Sequence, residues 1–130
     1  MNIFHLYRPR LPSTRAQSIQ VLRTCHALAS LGHTVTLLAD RGEQPALLWK
    51  QMGLEPHPNL ELHVAPIRHK GIAGVWFRHM LSRWWNGPPG VVLVRDKRRL
   101  MQAIKTHGIQ GHRIVIEAHE LDSLQSDPVS

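Results

Sequence analysis

Residues 28–39 read LASLGHTVTLLA: the end of an amphipathic segment, a glycine, and a β-branched apolar run. Counting back from Gly32, Val21, Leu22, Cys25, Leu28 and Ala29 recur at helical spacing, which predicts a helix over 16–31 with the glycine as its stop. Counting forward, Thr34 to Ala39 is closed by Asp40 to Gly42 and reads as a strand buried on both faces. Ahead of the helix, Asn2 to Leu6 is a second β-prone run. Strand, helix and strand within forty residues make a β-α-β unit, whose crossover is right-handed.

The alternation continues to the end of the readable pattern. A short helix over 44–52 ends at Gly53, and a strand over 60–64 follows the Pro56 and Pro58 loop. A helix over 75–85 is stopped by Asn86-Gly87-Pro88-Pro89-Gly90. Then come a strand over 91–94, a helix over 97–106, a turn over 108–111 and a strand over 113–117. This order predicts an α/β fold, a Rossmann-like doubly wound parallel sheet of about five strands in the order 3-2-1-4-5. The expected core is Ile3, Val35, Leu37, Val92, Leu93, Ile114 and Ile116, in one domain over 1–122 with a polar tail over 123–130.

Composition sets the class of partner. Among 130 residues, 16 Lys and Arg stand against 9 Asp and Glu, a formal charge of +7, so the surface attracts anions. Nucleic acid is disfavoured, because the basic residues are dispersed over loops without a reading motif. The single cysteine, Cys25, excludes an internal disulfide and a cysteine-based metal cluster, and points to a reducing, cytoplasmic setting. No apolar run approaches the length of a membrane span.

In a doubly wound sheet ligands bind beyond the carboxyl ends of the strands, where the strand order reverses. The loops there are Tyr7 to Arg15, Arg95 to Lys97 and Ala118 to Asp122. The first offers Arg8, Arg10, Ser13, Thr14 and Arg15 just before a helix start, the composition of a clamp for phosphate or an acidic sugar. A capping hydroxyl with solvated arginines is the plainer reading of the same residues. None of the chain's 9 glycines falls in this loop, which argues against a dinucleotide cofactor; no cofactor is implied. The last loop brings His119 and Glu120 to the same edge directly after a strand, with the histidine suited to contact a hydroxyl. His-x-x-x-His, His-Glu-x-x-His and Gly-x-Ser-x-Gly patterns do not occur, so neither a metal site nor a serine nucleophile is expected.

Five segments carry a resemblance: Asn2-Ile3-Phe4-His5, residues 15–21 (RAQSIQV), residues 28–37, and the strand ends Val94-Arg95-Asp96 and Glu117-Ala118-His119-Glu120. In order and spacing they resemble the N-terminal domain of family-four GT-B glycosyltransferases. The resemblance implies an acceptor-side domain, with Arg95 and Glu120 among its substrate-binding residues and His119 contacting a sugar hydroxyl. It also implies a partner, the C-terminal domain that grips a nucleotide sugar and carries a Glu-x7-Glu motif. None of Glu43, Glu55, Glu61, Glu117 and Glu120 has another eight positions on, so that half is absent from these residues and the chain alone is expected to be inactive. The other class to weigh is a stand-alone or degenerate flavodoxin-like module that binds an anionic small molecule.

The helix over 75–85 reads two ways. Trp76, Phe77, Met80, Leu81, Trp84 and Trp85 share one arc and Arg78, His79, Ser82 and Arg83 the opposite one. Such a helix suits an anionic membrane surface, with Trp76, Arg78, Arg83, Trp84 and Trp85 in contact, as for an enzyme with a lipid-linked acceptor on the inner face of the membrane. Equally, the aromatic arc packs on the sheet.

Overall fold

The computed structural model describes residues 1–11, 16–41, 49–50, 53–66, 70–95 and 97–117. Along them run β1 (Asn2–Leu6), β2 (Arg10–Leu11), α1 (Ala16–Ser30), β3 (Thr34–Arg41), β4 (Leu60–Val64), α2 (Lys70–Trp85), β5 (Val91–Val94), α3 (Lys97–His107) and β6 (Arg113–Ile116). The long strands pair in parallel in the order β4-β3-β1-β5-β6, which is the expected 3-2-1-4-5. Ile3 stands opposite Val35 on one side and Val91 on the other. The expected helix over 44–52 lies mostly outside the described residues.

Two boundaries differ from the sequence reading. The chain does not leave the sheet after β1: Tyr7 N–H donates to His5 O in a tight turn, and β2 then pairs with Asp40 and Arg41 at the far end of β3. Thr34 N–H donates to Met1 O and Asp40 N–H to Pro9 O, whereas Val35 N–H donates to Asn59 O on the β4 side. Pairing therefore alternates along β3, and β2 extends the flank that β1 occupies. The second difference is α2, which begins at Lys70 rather than Val75. Gly71 and Gly74 look like breakers, but Ala73 beside them is buried, and packing outweighs their low helix propensity.

Strand alternation divides the apolar residues between two faces. Under α1 lie Ile3, Val35, Leu37, Ala39 and Leu60, met by Val21, Leu22, Cys25 and Ala29. The opposite face joins Phe4, Leu6, Leu38, Val92 and Val94 to Phe77, Leu81 and Trp85 of α2 and to Leu100 and Ala103 of α3. The expected core needs correction at β6. Ile116 is 47% exposed and Val115 40%, and Leu93 and Ile114 are only partly buried. β6 is the last strand of the sheet, so its outer flank has no neighbouring strand among the described residues and its apolar run is not enclosed as a central strand's is.

For the aromatic arc of α2, the reading as a membrane contact needs correction. Trp85 has no exposed surface and its indole N–H donates to Gly108 O at 2.7 Å, while Trp76 and Trp84 pack partly buried against the second core. The face of the sheet opposite α1 has to be covered, and this arc covers it. The exposed side of α2 carries Arg78, His79 and Arg83 together with Ile72 and Val75. No helix among the described residues is long and apolar enough to cross a membrane.

The amino edge of the sheet is locked by a histidine. Gly90 N–H donates to His112 Nδ1 at 3.0 Å, so His112 Nε2 carries the hydrogen that it donates to Trp85 O at 2.7 Å. The ring also stacks on Trp84 with centroids 4.8 Å apart. Gly90 is required there, since a Cβ would come within 2.5 Å of Asn2 O.

Candidate functional site

The carboxyl edge holds a cluster of ionisable side chains drawn from three strands. Val94 pairs with Ile116, so the next residues, Arg95 and Glu117, leave the sheet side by side, and Glu117 N–H donates to Val94 O at 2.9 Å. Arg95 Nε–H then donates to Glu117 Oε2 at 2.6 Å. From β1, which lies beyond β5, His5 Nε2 contacts Glu117 Oε1. The His5 side chain is wholly buried, that of Arg95 is 7% exposed and that of Glu117 16%. His5 Nδ1, His5 Nε2 and Glu117 Oε1 make no well-formed hydrogen bond among the described residues, so His5 and Glu117 meet as a close contact.

Burial on its own would raise the pKa of Glu117. The close contact and charge of His5, followed by the hydrogen bond and charge of Arg95, outweigh it and hold the carboxyl below the ordinary glutamate range. The site therefore keeps an ionised carboxylate beneath the crest of the sheet. Its field reaches α1, where burial and then the Glu117 charge push the Cys25 thiol above its usual value. Cys25 is an inert core residue.

A second arrangement lies at the same edge on the opposite face. Arg8 Nε–H donates to Asp40 Oδ1 at 2.9 Å, and the guanidinium lies over the Phe77 ring, 5.1 Å from its centroid. Arg99 approaches the same ring at 5.5 Å. Phe77 forms part of the floor of a groove of about 570 Å3 between α2 and α3, which Arg8, Arg78, Arg99 and Lys105 also line.

These positions sort the residues expected to bind substrate. Arg8 turns to the α2 face, where Asp40 and Phe77 hold it, and so stands apart from a clamp built on the start of α1. Arg95 is nearly buried and anchors Glu117. Arg10 lies on β2, its side chain outside the described parts. Ser13, Thr14, Arg15, His119 and Glu120 lie outside the described residues, and so does the cleft expected between Arg15 and His119. His5, Asp40 and Phe77 were not singled out by sequence. For His5 a signal existed: a histidine within the apolar run Ile3 to Leu6 of a central strand needs a buried polar partner.

The chain is an α/β protein with a doubly wound parallel sheet and an ion cluster where the strand order reverses. Comparison with protein-family models, curated proteins and solved structures gives no match.

Proposed function

We propose that this chain is the acceptor-binding, N-terminal half of a GT-B glycosyltransferase, which moves a sugar from a nucleotide sugar to an acceptor when joined to a nucleotide-sugar-binding half. One observation supports the reading above the rest. The segments that resemble the family lie far apart in sequence, yet His5, Arg95 and Glu117, one from each of three, meet in one cluster at the switch point. A fold-level likeness alone would not require this. On this reading Glu117 is a positioning residue: Arg95 and His5 fix it, and it immediately precedes the Ala118-His119-Glu120 segment that the resemblance assigns to the sugar. Transfer needs donor and acceptor held together, so the acceptor half alone binds without turning over.

The test is saturation-transfer NMR of the 130-residue chain against panels of sugar acceptors and nucleotide sugars. The expected result is binding of acceptors, loss of that binding in Glu117→Gln, no binding of nucleotide sugars and no transfer product. Turnover by the chain alone, or binding of nucleotide sugars in place of acceptors, overturns the proposal.

A further inference from the structure

We propose that the groove between α2 and α3 is a binding site for a phosphorylated small molecule with an apolar body, its phosphate seated beside Arg8 and Arg78. The site goes beyond the sugar-transfer reading: it lies on the helical face opposite α1, and neither Glu117 nor His5 takes part in it.

The volume, about 570 Å3, is within the range of small-molecule sites. Leu6, Phe77 and Leu81 give it an apolar floor, while Arg8, Arg78 and Lys105 line it with positive charge. Among the described residues, none that lines the groove is acidic. An anionic group with an apolar body satisfies both parts at once, because the floor gains from losing water and the cations gain from an anion where the dielectric is low.

Arg8 makes one end of the groove a prepared site. Asp40 fixes its Nε and the face of Phe77 fixes the plane of the guanidinium. Gly74 leaves room above it, since a Cβ at that position would stand 4.0 Å from Arg8 Nη1. With Nε committed and no acceptor for the Nη hydrogens among the described residues, these form a donor pair on a planar group, the geometry that suits phosphate oxygens. Gly74 and Arg78 are one helical turn apart on α2, so the Arg78 side chain starts about 6 Å along the groove from the place where Arg8 sits. Lys105 lies farther along α3, beside the path of the ligand body.

NMR titration of the full 130-residue chain with phenyl phosphate at low salt tests the site. Saturable shifts are expected at Gly74, Phe77, Ala103 and the Arg8 Nε–H. Phenyl phosphate should bind at least about fivefold more tightly than inorganic phosphate, since its ring covers the floor. Arg78 is exposed, so Arg78→Glu should leave the fold intact and weaken binding by about tenfold or more. Arg23→Glu, the same charge change on exposed α1 surface, should alter affinity by less than about twofold. Gly74→Leu keeps the net charge but crowds Arg8, and it too should lose binding. Shifts that fail to saturate, equal losses in Arg23→Glu and Arg78→Glu, or full affinity in both Arg78→Glu and Gly74→Leu would overturn the site. So would binding to phosphatidylglycerol vesicles with none to soluble phenyl phosphate.

Discussion

Replacing Glu117 with Gln keeps the shape of the crest cluster and removes its only carboxylate among the described residues. The Arg95 side chain, 7% exposed, then has no anion in the cluster, and His5, fully buried, faces an amide. Removing one partner of a buried ion pair costs about 3–5 kcal/mol. Glu117 itself keeps 16% exposure, and the introduced amide carbonyl still accepts one hydrogen bond, which brings the expected loss to about 2–3 kcal/mol. Against a total stability on the order of 5–15 kcal/mol this is a large fraction, and it lowers Tm by roughly 10 °C. Urea unfolding at pH 7, followed by tryptophan fluorescence, measures it. The folded-state pKa of Glu117 lies below its unfolded value, so its contribution is complete above the unfolded value and disappears as pH falls through the folded one. The stability curves of the wild type and of Glu117→Gln should therefore converge in acid. Arg95→Met added to Glu117→Gln should recover part of the loss, because it removes the stranded cation. A difference below about 0.5 kcal/mol at pH 7, or a gap unchanged in acid, would refute the view that the carboxylate is held by Arg95 and His5.

Two further outcomes test the packing. Trp85→Phe leaves Gly108 O without its 2.7 Å donor and opens space in the core; a loss of about 2–3 kcal/mol in urea unfolding is expected, and a loss below about 1 kcal/mol by the same measurement would contradict the placement of the indole. Val92→Ala should cost at least about 1.5 kcal/mol while Ile116→Thr costs less than about 0.5, since Val92 is fully buried and Ile116 is 47% exposed; equal losses would mean that β6 is enclosed after all.

What the sequence made legible was whatever depends on periodicity and punctuation. Gly32 after a 3.6-residue repeat and before a β-branched run fixes the first crossover, and the Asn86 to Gly90 cluster fixes the end of α2, so strand order followed from chain order. What stayed hidden depends on position within the sheet. Ile114 and Ile116 have the same local pattern as Val92 and Val94, and only the place of β6 at the edge of the sheet explains their exposure. The α2 helix was ambiguous for a related reason: an aromatic arc looks the same whether lipid or a sheet covers it, and Trp85 is settled by the Gly108 carbonyl, 23 residues away. The site was half legible. Arg95 stood out at a strand end, but its partners Glu117 and His5 lie in strands whose adjacency is a property of the topology.

The same alternation keeps the two sites apart. Along β1, Ile3 joins the core under α1 while Phe4 and Leu6 join the core under α2 and α3, so His5 lies on the α1 side. Past the turn at Tyr7, Arg8 lies over Phe77 on the other side. The Glu117 cluster and the Arg8 groove therefore share an edge of the sheet and no residue. Perturbations at separate sites with no shared partner add, within about 0.3–0.5 kcal/mol. Glu117→Gln should thus change phenyl phosphate affinity by less than about twofold in protein that is still folded, and Arg78→Glu should leave the urea midpoint within the range of an exposed substitution. The double variant should lose stability as Glu117→Gln does and ligand affinity as Arg78→Glu does. A coupling above about 1 kcal/mol in this cycle would mean that β1 transmits between its two faces, and the groove would then have to be treated as part of the crest site.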